Sequence, residues 1–161
     1  RPESRGYISL KNLDPATPPI IQPNYFSTEY DRKTMIKAFK ISRDIIFQKA
    51  FDDFRGKEIN PGENVQTDEQ IEEFIRANAE TIYHPVGTCK MGSDNMSVVD
   101  DKLKVHGLEN LRVIDASIMP TLVGGNTNAP TVMIADKISD HILGNEFLPP
   151  INVPNPLEQS A

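Results

Sequence analysis

The stretch that decides the fold is Gly124–Leu143, GGNTNAPTVMIADKISDHIL. Its second half carries apolar residues at Val132, Met133, Ile134, Ile138 and Ile142, with charges between them. That spacing predicts a helix over 130–143. Pro130 suits a helix opening, and Gly144 suits its end. The first half is polar and small. Free N–H groups at a helix start favour negative charge. Asn126 and Asn128 add side-chain amides, and Gly124-Gly125 lets a ligand approach the backbone closely. The same residues have a plainer reading, in which Asn128 or Thr127 simply caps the helix. A phosphate loop of the Walker type is excluded, because no Gly-Lys-Ser/Thr follows the glycines.

Upstream lies Leu111–Asp115, LRVID, a short β-rich run that ends in a carboxylate. Further upstream lies Tyr83–Cys89, YHPVGTC. Pro85 disfavours helical backbone at the residue before it, so no helix continues past His84. His84 has three readings: a satisfied histidine beside apolar residues, a general base, or a metal ligand. The spacing of His84, Cys89 and His106 fits no zinc pattern. Thr67-Asp68-Glu69-Gln70 is a capping box opening a helix through about Ala79, with Ile71, Phe74 and Ile75 inward. Residues 27–52 read as a longer helix capped by Ser27, with Glu29 in its first turn. Met35, Ala38, Phe39, Ile41, Ile45 and Ile46 mark its apolar side. Residues 1–26 are extended and proline-rich, with one candidate strand at Gly6–Leu10. Asp14-Pro15 and Pro18-Pro19 are turn signals.

Composition narrows the function classes. The chain has 161 residues, 38% hydrophobic and 25% charged, enough for one domain with a core. Its net charge of −6 is spread along the sequence, which argues against nucleic-acid binding. No apolar run reaches the ~20 residues that span a bilayer. The single cysteine, Cys89, forms no internal disulfide framework. The chain starts at Arg1 and shows no signal-like segment, so it reads as a piece of something longer, and its compartment is left open. Asn95-Met96-Ser97 fits the glycosylation acceptor pattern.

Three blocks taken together carry a resemblance: YHPVGTCKMG (83–92), VVDDKLKVHGLENLRVIDASIMPT (98–121) and GGNTNAPTVMIADKISDHI (124–142). In order and spacing they resemble the C-terminal signature of the glucose–methanol–choline (GMC) flavin oxidoreductases. RPESRGYISL and DPATPPIIQPNY are similar to that family's upstream substrate-domain strands. The wording of the blocks looks closest to the insect glucose-dehydrogenase-like branch, a likeness that also leaves secretion open.

The resemblance implies an FAD enzyme that oxidises the CH–OH group of an alcohol or sugar. It places the catalytic pair on His84 and Asn126. His84 would take the hydroxyl proton as general base, and Asn126 would donate to the developing alkoxide. Hydride would pass to flavin N5, since the redox chemistry belongs to the cofactor. By the same resemblance Asn128, Ala129, Pro130 and Thr131 line the isoalloxazine. Asp115 and Ala116 lie near the ribityl and pyrophosphate portion, and a turn cap is the alternative role for Asp115. No metal site is expected.

The implied fold is α+β. Helices cover a small, mostly antiparallel sheet, and a strand and helix return to the FAD domain. Residues 1–144 form the C-terminal domain, with 1–107 mostly the substrate part, 108–144 the returning strand and helix, and 145–161 a proline-rich tail. The family's Gly-x-Gly-x-x-Gly unit is absent. The expected partners are therefore an N-terminal FAD domain and a small alcohol or sugar, with the isolated chain inactive. Two alternatives stand beside this reading: a hydroxynitrile lyase of the same fold, and a non-catalytic truncated binding module.

Overall fold

The computed structural model describes residues 1–151; the last part of the expected tail, 152–161, lies outside the described residues. Two compact units divide between His84 and Pro85.

In the first unit, strand β1 (Tyr7–Ser9) pairs antiparallel with β2 (Ile20–Gln22), Ile8 opposite Ile21. Gly6 is required beside this pairing, because a Cβ there would meet the Gln22 carbonyl at 2.1 Å. Helix α1 (Glu29–Ile46) starts at Thr28, not Ser27, and the Thr28 side chain accepts from the Asp31 N–H at 3.2 Å. The Ser27 N–H is taken instead by the Ser4 hydroxyl. Asp31 itself is buried, and its carboxylate accepts from the Glu3 and Ser4 amides, both at 2.8 Å. Burial pushes its carboxyl up, but the hydrogen bonds from Ser4, Glu3 and Thr28 together hold it below the usual carboxylate value.

Helix α1 ends sooner than its pattern suggests, and a short 3₁₀ turn (Lys49–Phe51) follows. Helix α2 (Asp68–Asn78) carries the expected capping box: Thr67 Oγ1 accepts from the Gln70 N–H at 3.3 Å, and Gln70 Oε1 accepts from the Thr67 N–H at 3.0 Å.

Helices stand with a small antiparallel sheet, as the α+β expectation has it, and within this unit the two helices pack on each other and leave the ribbon exposed. The core of this unit is Ile36, Ile71 and Ile75, with Phe26, Phe39, Val65 and Phe74 packed on it, so α1 and α2 pack on each other. Tyr7, Ile8, Ile20 and Ile21 of the two-stranded ribbon stay exposed. The amphipathic stripes of α1 and α2 meet face to face, which satisfies both. Ion pairs join the two helices, Arg32 with Glu72 and Lys40 with Asp68, while Arg76 holds Glu72 from within α2. The half-buried Arg43 bonds Glu58 at 3.0 Å and the Val65 carbonyl at 2.9 Å, stacking over Phe39.

The second unit is woven mainly from loops. Val99, Leu103, Ile118 and Ile138 form its core, with Met91, Val98, Val105, Val113, Ile114 and Ile134 packed around them. Backbone hydrogen bonds tie the loops in place of a regular sheet. Cys89 donates to Ser117 at 3.0 Å, Met91 to Ile118 at 2.8 Å, Gly92 to Val99 at 3.0 Å, and Val105 to Leu111 at 3.0 Å. The returning strand expected at 111–115 forms only one bridge, Lys104 to Arg112. A β-rich run makes a strand only where a neighbour supplies a full ladder, and here one residue finds such a partner.

Helix α3 (Asn128–Leu143) seats Ile138 in the core and leaves Val132, Met133 and Ile142 exposed. It closes at Gly144 in the left-handed conformation (φ 74°), as its glycine suggests.

Candidate active site

His84 is the last residue of the first unit. It is exposed and lies outside any helix or strand. Its backbone is constrained on both sides. Pro85 confines it to extended geometry. Tyr83 before it has φ 62°, a left-handed backbone that a bulky residue seldom adopts. The Tyr83 N–H donates to Thr81 Oγ1 at 3.0 Å.

Beyond Pro85 the histidine loop is anchored within the second unit by the Cys89 and Met91 amides. Gly87 turns there with φ 86°, and a Cβ at that position would press on the Met119 carbonyl at 3.2 Å.

The remaining expected site residues all belong to the second unit. Asp115 has extended backbone, and its carboxylate accepts from the Ser117 N–H at 2.7 Å. It caps the short turn Ala116–Ile118, which is the plainer of the two roles expected for it. Asn126, Asn128 and Ala129 are exposed, whereas Pro130 and Thr131 are half-buried.

The start of α3 is the unusual feature. Its N-cap is Thr127, but that residue has helical backbone (φ −80°, ψ −12°) and its side chain makes no capping bond. The Thr131 N–H and hydroxyl both turn back to the Thr127 carbonyl, at 3.1 and 2.6 Å. Pro130 has no N–H. The Asn128 and Ala129 amides therefore point out of the helix without a partner among the described residues. No acidic side chain occupies the first turn. Such an end carries positive partial charge and suits an anionic group. The exposed Asn126 stands just before it, so this end can offer both backbone and side-chain donors.

Among the described residues no cluster of three His, Cys, Asp or Glu could hold a metal, and no helix is long and apolar enough to cross a membrane.

Solved structures share this arrangement. Over 91% of its length the chain matches pyridoxine 4-oxidase from Mesorbium loti, with a TM-score of 0.83 and 34% identity, covering 28% of that chain. Over 86% it matches an FAD-dependent oxidoreductase from Chaetomium thermophilum, with a TM-score of 0.80 and 26% identity, covering 24% of that chain. The fold thus defines the class: it matches a domain of oxidoreductases.

The family follows from the sequence. Residues 2–135 match the family model described as GMC oxidoreductase, and the chain belongs to that family. It is 56% identical over 149 residues to the oxygen-dependent choline dehydrogenase of Cronobacter sakazakii (strain ATCC BAA-894), which covers 92% of this chain. The chain spans about 27% of that relative's length. It is thus homologous to choline dehydrogenase, and these relatives lend no support to the insect glucose-dehydrogenase-like branch.

Proposed function

We propose that this chain is the catalytic C-terminal part of an FAD-dependent enzyme that oxidises the CH–OH group of an alcohol. Residues 1–107 serve mostly as the substrate part, 108–144 return to the FAD domain, and the rest of the flavoenzyme is the partner. A choline-like amino alcohol is the first substrate to test, ahead of a sugar, because the choline dehydrogenase relative is 56% identical over 149 residues.

The observation that supports this reading is the start of α3, where the cap side chain makes no bond and no acid stands in the first turn. Bound FAD supplies the hydride acceptor. The chain's own residues do the rest. The imidazole of His84 takes the hydroxyl proton, which lets the carbon release its hydride. Asn126 donates to the alkoxide as charge builds on oxygen. The Asn128 and Ala129 amides, with Pro130 and Thr131 beside them, would hold the flavin ring system at the helix start, where the dipole favours negative charge. Asp115 and Ala116 would lie near the cofactor's ribityl and pyrophosphate portion.

The test is His84→Ala in the full-length flavoenzyme. Turnover should fall ~10²–10⁴-fold, the range of a general base, while flavin stays bound. Turnover at the parent rate would return His84 to a space-filling role. Bleaching of the flavin by an alcohol separates oxidation from lyase chemistry, in which the flavin stays oxidised.

A further inference from the structure

We infer that helix α1 has a second docking face, the stripe Tyr30, Thr34, Ala38, Ile41 and Ile45, and that the N-terminal part of the same flavoenzyme polypeptide covers it; this rests on the reading of the chain as part of a longer flavoenzyme. Successive residues of the stripe lie three or four apart, so they share one side of the helix. None is charged, and all five are exposed. Tyr30, Ile41 and Ile45 stand 49%, 48% and 51% open.

The rest of the helix shows why this is no ordinary solvent face. Arg32, Ile36, Phe39 and Arg43, at the same spacing, form the side towards α2: Ile36 and Phe39 join the core, and Arg32 reaches Glu72. Glu29, Lys33, Lys37, Lys40 and Asp44 recur three or four apart on a third side. A surface helix has one apolar stripe facing its core and is polar on the opposite side. In α1 the side opposite α2 is the uncharged one, and the charged stripe lies between the two. That is the pattern of a helix held between two packing partners. Only one of them, α2, belongs to this unit.

Two observations point to the second partner. The chain spans about 27% of the length of the choline dehydrogenase relative, so a large polypeptide lies outside these residues. The chain's own first residues also close on the edge of the stripe. Asp31 stands one turn before Thr34, and its carboxylate accepts from the Glu3 and Ser4 amides, both at 2.8 Å. Polypeptide joined to Arg1 therefore arrives beside the stripe. The ribbon that begins three residues after Ser4 needs a partner as well. Its paired Ile8 and Ile21 are 50% and 65% exposed, and two strands alone are marginal in water. The covering surface is apolar, because five uncharged positions offer an ion no partner.

The test reads burial of this face in the full-length flavoenzyme. Ile41→Cys and Ile45→Cys report the stripe, and Lys37→Cys and Asp44→Cys report the charged side. Each is labelled with iodoacetamide, and the rate at that position is read by peptide mass. The stripe cysteines should label at least ~100-fold more slowly than the controls, since a buried site reacts only when it opens. All four should label alike in urea. The protection should not change as the enzyme is diluted. If the isoleucine variants do not fold, Thr34→Cys and Ala38→Cys report the same face with smaller changes.

Equal rates on both sides of the folded enzyme would overturn the inference. So would protection that is lost on dilution, which would assign the face to a second copy. An open stripe in an enzyme that still oxidises its alcohol would leave the proposed function standing. A protected stripe in an enzyme whose flavin no alcohol bleaches would support the packing and count against the proposed function alone.

Discussion

Helices α2 and α3 begin in opposite ways. At α2 the start carries its own side-chain cap: Thr67 and Gln70 cap each other, and Asp68 and Glu69 place negative charge in the first turn. Helix α1 follows the same habit, with Thr28 capping and Glu29 and Asp31 in its first turn. At α3 the cap side chain is disengaged, the first turn has no acid, and Pro130 replaces one donor. A start that satisfies itself is structural. One without a side-chain cap or a first-turn acid leaves its positive partial charge uncompensated, which favours a negative group. The difference separates the part of the chain that holds the fold from the part proposed to meet the cofactor.

The largest expected effect concerns how much this open start can do alone. The isolated 161-residue chain should not bind FAD stoichiometrically or oxidise alcohols. Two amides and a few side chains reach one end of a large cofactor, and the dinucleotide-binding glycine pattern is absent from the sequence. Titration with FAD, followed by flavin absorbance, checks this. Yellow protein that bleaches with choline would break the comparison, since the open start would then be sufficient.

Asn126→Ala in the full-length enzyme comes next. It should lower turnover ~10²–10³-fold, the worth of one donor to a developing oxyanion. Loss of flavin with unchanged intrinsic rate would make Asn126 a cofactor contact instead.

The two helix starts can then be compared directly by stability. Thr67→Ala should cost about 1 kcal/mol in chemical unfolding, as the loss of an N-cap does. Thr127→Val, whose hydroxyl makes no capping bond, should stay within about 0.5 kcal/mol. Equal losses would mean that Thr127 caps α3 in solution and that its start is not open.

Much of this contrast was legible in the sequence, for physical reasons. The capping box at Thr67 and the closing Gly144 are local rules, and local rules transfer. The polar run before Pro130 marked the α3 start, although its residues fit capping and ligand binding equally well. In the structure the Thr127 side chain makes no capping bond. What sequence missed depended on distant partners. Ser27 lost the α1 cap because the Ser4 hydroxyl takes its amide. Asp31 sits three residues after Thr28, a spacing that signals a capping role. Its buried contacts with Glu3 and Ser4, however, could not be read from period or composition. The run at 111–115 had the composition of a strand but only one bridging residue. The apolar side of α3 divided as well, with Ile138 inside and Val132, Met133 and Ile142 outside.

The most direct test of the open-start account is Asn128→Asp in the full-length flavoenzyme, read as the midpoint potential of the bound flavin. The substitution gives α3 the first-turn acid that α1 and α2 possess, and such an acid is worth ~0.3–1 kcal/mol to a helix start. The same charge would oppose negative charge on a flavin held at that end. The account predicts a potential shifted to more negative values, with slower reduction by the alcohol. An unchanged potential, or a shift to more positive values, would contradict the claim that the start of α3 holds the cofactor.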